Sequence, residues 1–501
     1  MTHRPGPRKL SGGWLVLSLL ALLGLAAALA GGVVAWQRLH APTFHHTPNA
    51  INTGKSILYF SKPGFNTDPT QLTMVRASDG TILWQYVMNG VLSIGEAPTM
   101  QVALAAGQVV EVANGVIYFV VEKPAENSSS HEQDLMALRA DTGAVLWRRS
   151  MPGFSVELFG VSDGVVCIRV TKAQGPQLTS SALFGYDART GAVVWQRQDV
   201  DASGTKSTQY NVALYDGILY VSGELVSPLP TPMTIHALLA STGQTLWQYS
   251  QPSTPGSQSG HYFFYPVATD QGVVVMYSWG GDLLGMREKD GAVLWRYQAT
   301  NILFNVPHGE FNGPGILERG GALYFGTSAA DGSLQLNSLQ MTTGRLLWRQ
   351  PISAAKSALW DLAVGDDGVY AMILPQWLGM HPVFDGLQIS SRDTRSGDLH
   401  WQTPPATAPN PYFASAGAVL VIESGSTLLA LSADSGATLW RHPNAEAAGI
   451  AVVNGAVIYS SIGYTGSDTW TSSLCSLQET IGATRWCDQI AMGSGLFVVG
   501  P

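Results

Sequence analysis

The stretch Leu135-Met136-Ala137-Leu138-Arg139-Ala140-Asp141-Thr142-Gly143-Ala144-Val145-Leu146-Trp147 sets the reading of the whole chain. An apolar run leads into Asp-Thr-Gly, and a second apolar run ends on a tryptophan. Short polar side chains bond to nearby backbone in turns, and glycine takes the positive φ that closes a tight hairpin. The glycine therefore ends a hairpin turn and the tryptophan lies on the returning strand. The Gly-x-x-x-Trp pattern occurs nine times: Gly80/Trp84, Gly143/Trp147, Gly191/Trp195, Gly243/Trp247, Gly291/Trp295, Gly344/Trp348, Gly397/Trp401, Gly436/Trp440 and Gly482/Trp486. Successive glycines lie 63, 48, 52, 48, 53, 53, 39 and 46 residues apart. The residue before the glycine is Thr, Ser or Asp in eight copies and Ile481 in the ninth. A supersecondary unit of that size repeated this often means a solenoid or a propeller.

Working outward, each unit holds a second apolar run upstream of the hairpin. Examples are 115–121, 164–170, 217–221, 272–277, 321–326, 368–374 and 455–460. They are short and rich in Val, Ile and Tyr, so they read as strands. A further run often precedes them, as at 159–161 and 362–364. That makes four strands per unit, here called A to D, and four-stranded units arranged radially are propeller blades. The nine tryptophans then fill one fixed place per blade and pack against the next. The first unit has no obvious A strand, and Gly495 to Val499 is the segment that would supply it from the far end.

The Thr-Gly-x-x-x-Trp repeats resemble the PQQ-like (pyrroloquinoline-quinone-like) propeller family over residues 55–501. That family includes quinoprotein alcohol dehydrogenases, a propeller lipoprotein of the outer-membrane β-barrel assembly machinery, and sensor domains of membrane-tethered kinases. The resemblance implies an all-β propeller and does not choose among those activities. It implies eight blades, the family's usual number, whereas nine motif copies allow nine.

The chain has 501 residues, 12% of them charged and 46% hydrophobic, as expected of a compact protein with a large core. Residues 13–36 contain no charge, and 24 residues suffice to span a bilayer as a helix. Arg4, Arg8 and Lys9 precede them. The positive-inside bias makes residues 1–12 cytoplasmic, 13–36 a signal anchor, 37–54 a linker and 55–501 an extracytoplasmic propeller. Ala28-Leu29-Ala30 leaves a cleaved signal peptide open as the alternative. No cysteine closely follows the run, so lipidation is not expected. Four of the 27 basic residues and none of the 35 acidic ones fall in residues 1–40. The remainder carries 23 against 35, a net charge of −12, which disfavours nucleic acid and anionic headgroups as partners.

Strand parity puts the A–B and C–D turns at one end of the sheets and the B–C loops at the other. The C–D turns are short and alike. The long segments 62–70, 122–133, 171–180, 224–232, 375–385 and 463–471 read as B–C loops. Loops presented by a rigid scaffold carry function, and several hold aromatic or large apolar residues: Phe65, Trp377, Met380, Phe384, Tyr464 and Trp470. These are candidate partner contacts; packing of each loop on its own blade is the alternative. Cys475 and Cys487 sit on the two arms of the last hairpin and are candidates for a disulfide.

Polar residues fall at the entries to the A strands, facing a central funnel: Glu157, Asn211, His308, Glu310, Asn312 and Asp361, with Trp360 beside the last. The family's quinoprotein dehydrogenases hold PQQ and Ca²⁺ in such a funnel. Oxygen ligands suit Ca²⁺ and a carboxylate would act as base. Those enzymes also carry two adjacent cysteines, which this chain lacks. The leading expectation is a non-catalytic binding scaffold for a protein or envelope partner, without a cofactor. A PQQ- and Ca²⁺-dependent oxidoreductase is the first alternative, and a ligand sensor coupled to a separate membrane protein the second.

Overall fold

The computed structural model describes residues 56–499 except 62–70, 89–90, 93–109, 124–131, 175–176, 199–209, 224–232, 252–263, 279–280, 300–301, 304–314, 354–356, 366–367, 375–385, 405–412, 417, 425–426, 444–446, 454, 465–469 and 491–494. The predicted segments 1–12, 13–36 and 37–54 lie outside the described residues. No helix within the described residues is long and apolar enough to cross a membrane.

Nine antiparallel sheets are present among the described residues, numbered here in chain order. Sheet 1 contains Ser56–Ser61, Gln71–Arg76 and Ile82–Val87, with Gly495–Val499 as its first strand. Sheets 3 to 9 are simple four-stranded meanders that begin at Phe154, Tyr210, Phe264, Ile316, Ala358, Phe413 and Ala447. Sheet 2 departs from the pattern. Its second strand, Val116–Lys123, pairs with two short pieces, Val110–Ala113 and Val91–Leu92. The A position is therefore split, with 93–109 inserted between its halves. This accounts for the long first spacing of 63 residues.

Residues 495–499 pair antiparallel with 56–60, so the end of the chain completes the first sheet, as the sequence suggested. First strands of successive sheets touch one another from sheet 2 round to Gly495–Val499 of sheet 1. The A strands thus form the innermost layer. The hydrophobic core is correspondingly divided, with one buried cluster in each seam between neighbouring sheets. Between sheets 1 and 2 it comprises Leu72, Met74, Trp84, Ile117, Phe119 and Leu138. Between sheets 9 and 1 it comprises Ile458, Leu474, Trp486 and Val75.

The repeat motif builds every seam. All nine motif glycines have φ between 64° and 74°, the left-handed region that side chains avoid. A Cβ at Gly143 would stand 2.6 Å from the Trp84 ring, so each glycine is also the floor on which the preceding sheet's tryptophan lies. The indole N–H of that tryptophan donates to the carbonyl three residues before the same glycine. The bonds are Trp84 to Ala140, Trp147 to Ala188, Trp195 to Ala240, Trp247 to Glu288 and Trp295 to Met341. They continue with Trp348 to Thr394, Trp401 to Ala433, Trp440 to Glu479 and Trp486 back to Ala77. The nine rings are 6–9% exposed, so each buries a large apolar surface and satisfies its one donor.

The residue that lends its carbonyl is itself held. Ala140, Ala188, Ala240, Glu288 and Met341 each donate their N–H to the A–B turn of their own sheet, at 2.8–2.9 Å. That bond confirms that the A–B and C–D turns share one end. The A–B turns of sheets 2 to 4 pair a positive-φ Asn114, Asp163 or Asp216 with a glycine, as type I′ hairpins require.

Candidate functional site

Two places were candidates from the sequence: the inner strands and the B–C end. On the inner strands, Glu157 lies in Phe154–Ser162 directly across from Arg169 of Val165–Gln174. The two side chains form an ion pair, and the Arg169 guanidinium stands 6.0 Å from the Phe159 ring centroid. Glu157 is thus held by a cation on its own sheet. Asp361 lies in Ala358–Val364 of sheet 7, where the register shifts between Leu359 and Asp361 and Trp360 is the extra residue. One Asp361 carboxylate oxygen accepts the Leu362 N–H at 2.8 Å. Asn211 is on the inner strand of sheet 4, opposite Ser222. His308, Glu310 and Asn312 lie outside the described residues.

The structure therefore places Glu157, Asn211 and Asp361 on inner strands but does not gather them. Sheets 4, 5 and 6 stand between the sheets of Glu157 and Asp361. Among the described residues no three His, Cys, Asp or Glu side chains are grouped to hold a metal ion. Among the described residues, Glu157 paired with Arg169 and Asp361 bonded to its neighbour's backbone stand on separate sheets and do not by themselves make a PQQ–Ca²⁺ site.

At the B–C end, Phe65, Trp377, Met380 and Phe384 lie outside the described residues. Tyr464 and Trp470 end two long strands of sheet 9, Ala456–Tyr464 and Trp470–Gln478, and are direct cross-strand partners. They stand at the root of a five-residue connection, 465–469, so four of the nine residues read as the loop 463–471 (463, 464, 470 and 471) are strand. The segment 171–180 needs the same correction. Strands Val165–Gln174 and Gln177–Asp187 pair almost to their tips, with one register shift after Lys172. Nothing in Thr171-Lys172-Ala173-Gln174 breaks a ladder, and the first turn signal in the segment is Gly175-Pro176.

The B–C end of sheet 2 holds a feature the sequence reading missed. Asp134 is buried (3% exposed) on Glu132–Arg139. Lys123 Nζ lies 3.2 Å from one carboxylate oxygen, Arg148 pairs with the other, and the Ser150 hydroxyl donates at 2.7 Å. Lys123 and Glu132 flank the 124–131 connection, so this cluster fixes where that loop leaves the sheet. A buried carboxylate persists only when paired in this way. The signal was a lone Asp in an otherwise apolar run, Asp134-Leu135-Met136-Ala137-Leu138.

Cys475 and Cys487 are cross-strand partners joined by a disulfide, with Cα atoms 4.1 Å apart. Cys167 is a buried free thiol whose pKa burial pushes up to about 12, so it is inert. On the inner strand piece Val110–Ala113, burial pushes the Glu111 carboxyl up to about 7. The glycine Gly160 lies opposite: a Cβ there would be 3.9 Å from that carboxyl carbon.

Comparison with known proteins agrees with this architecture. Outer membrane protein assembly factor BamB of Yersinia pestis is 27% identical over 264 residues, which is 51% of this chain and 60% of that protein. Tetrathionate hydrolase of Acidithiobacillus ferrooxidans is 25% identical over 272 residues, 48% of this chain and 50% of that protein. The chain thus spans between half and two thirds of the length of these relatives. The crystal structure of BamB from Moraxella catarrhalis superposes with a TM-score of 0.41 at 16% identity, covering 70% of this chain and 92% of that one. A model of the PQQ-like repeat family, described as outer membrane protein assembly factor BamB, matches residues 70–269, 260–372 and 337–496. Those matches run over most of the chain, and the protein is a β-propeller belonging to that family.

Proposed function

We propose that this chain is a nine-bladed, membrane-anchored extracytoplasmic propeller that serves as an assembly scaffold, binding a protein partner through its B–C end. One observation carries the reading. The end bearing the C–D turns is taken up in holding neighbouring sheets together, while the B–C end varies from sheet to sheet and bears Tyr464 and Trp470 side by side in register. Two relatives support different activities by their names, and the assembly factor is the one that also describes the family. The anchor rests on the uncharged run 13–36. The nine-blade count is supported by nine sheets and by the tryptophan bonds that return to sheet 1.

The test is site-specific photo-crosslinking of the full-length protein in its own membrane. A crosslinker at position 470 is expected to capture a discrete protein partner, and one at position 142, on the C–D end, is not. Capture at 142 with none at 470 would overturn the orientation, and capture at neither would overturn the scaffold reading.

A further inference from the structure

The seams share one device beyond the tryptophan. The third residue of several B strands adds a second donor beside the indole. In the seam between sheets 2 and 3, Tyr118 donates its hydroxyl to the Ala188 carbonyl, the same oxygen Trp147 uses. Between sheets 6 and 7, Tyr324 and Trp348 likewise share the Thr394 carbonyl. Both acceptors are neutral backbone groups.

The seam between sheets 4 and 5 breaks this rule. The residue three before the motif glycine is Glu288, and Tyr220 donates to its side-chain Oε1 at 3.4 Å instead of to its carbonyl. Trp247 keeps the carbonyl at 2.7 Å, and the Glu288 N–H is bonded to Gly272. Glu288 is therefore fixed at both backbone atoms, and its carboxyl is turned into the seam. Tyr220 is fully buried, and its ring lies 6.0 Å from Trp247 and 6.4 Å from Tyr215. The groups facing the carboxyl come from both sheets. Sheet 4 presents Tyr220, and beside it Tyr215 and Asp216, the latter in its A–B turn. Sheet 5 presents Asp270, in its own A–B turn. Thr269 donates to Asp216 at 3.4 Å and Gln271 to Asp270 at 3.0 Å. Within the same C–D turn Arg287 is paired with Asp290.

We propose that the seam between sheets 4 and 5 is a proton-operated latch: the Glu288 carboxyl, bonded by Tyr220 and flanked by Asp216 and Asp270, keeps the two sheets together while it holds its proton and loosens them when it gives the proton up. Burial first, then the Asp216 charge and more weakly Asp270, raise this carboxyl to about 7, outweighing the Tyr220 bond, which by itself favours the ionised form. The folded group thus keeps a proton that the opened seam would release. Seam stability is fully present below the ordinary glutamate range and is lost as pH rises from about 4.5 towards 7. Above that both states are ionised and the loss levels off. The only other motif with a glutamate at this place is that of Glu479. Its opposing B-strand residue is the apolar Val421, so no tyrosine hydroxyl meets it there.

The test is hydrogen–deuterium exchange of the full chain from pH 5 to 8, with times scaled for the intrinsic pH dependence. Segments 218–223 and 282–298 report the latch. Segments 322–328 and 388–402, around Tyr324 and Thr394, are the internal reference. Opening of the first pair relative to the second is expected to rise by up to about tenfold per pH unit between about 4.5 and 7. Glu288→Gln should abolish the rise, and Asp216→Asn should move it to lower pH. Parallel exchange in both seams, or a rise that survives Glu288→Gln, would overturn the proposal. If the glutamine variant does not fold, the Asp216→Asn shift and the wild-type comparison of the two seams still decide it.

Discussion

The two ends of the sheets obey different rules. At the C–D end every sheet makes the same turn, because each turn has a neighbour to meet. Its glycine floors the previous sheet's tryptophan and its carbonyl accepts that ring's N–H. At the B–C end no such partner recurs among the described residues. The connection is two residues in sheet 3 and five in sheet 9, and in sheet 2 a buried Asp134 cluster sets the exit. A repeat is thus kept where one unit touches the next, and divergence collects where it does not. The placement of the uniform motif therefore says which surface is committed to architecture.

This contrast can be broken by substitution. The largest effect belongs to the seams. Trp295→Ala should remove about 3–5 kcal/mol of stability, as for other buried aromatic truncations, read by urea unfolding. A loss below about 1 kcal/mol would mean that the ring bond is not what holds sheet 5 to sheet 6. Next comes reduction of Cys475–Cys487. The bridge closes a short loop at a sequence separation of 12 residues, so its loss should cost about 2–3 kcal/mol, seen as a lower melting temperature in reductant. Smaller again is Gly243→Ala. It adds a Cβ at φ 68°, 2.7 Å from Trp195, and should cost about 1–3 kcal/mol. The weakest effect on stability belongs to the B–C end. Trp470→Ala should leave unfolding nearly unchanged while abolishing capture of the partner by a crosslinker at position 464. PQQ with Ca²⁺ should leave the melting temperature unchanged, and a saturable shift would restore the oxidoreductase reading.

Much of this was legible. The glycine–tryptophan spacing gave the sheets, and the apolar Gly495–Val499 gave the closing strand. Part of the motif was present in the sequence but unread. Opposite each tryptophan, six residues before the motif glycine, stands Ala137, Gly185, Ala237, Gly285, Ser338, Ser391, Ala430 or Ser476, with Met74 the one large exception. The indole needs that room. A Cβ at Gly285 would fall 2.0 Å from Trp295. Each C–D hairpin also carries a bulge just before its tryptophan, which turns Ile82, Leu83, Val145 and Leu146 outward. Strand alternation alone does not reveal a bulge. The funnel candidates were harder to read for a different reason. Glu157 and Asp361 are polar on inner strands, but a cross-strand arginine and a backbone N–H satisfy them locally. Sequence position cannot tell a satisfied carboxylate from a poised one.

The bond from Trp486 to Ala77 joins residues 409 apart in the chain. Closing a flexible loop of that length costs about 5 kcal/mol of entropy, far more than a hairpin turn. The other seams can form as soon as two consecutive sheets exist, but sheet 1 must wait for the final strand. During synthesis the first sheet made is therefore the last one finished, and until then its inner edge is open to pairing with whatever lies nearby. The slowest step in refolding should be this contact between the two ends of the propeller, and a permuted chain cut in a B–C connection and joined across 499 and 56 should fold faster.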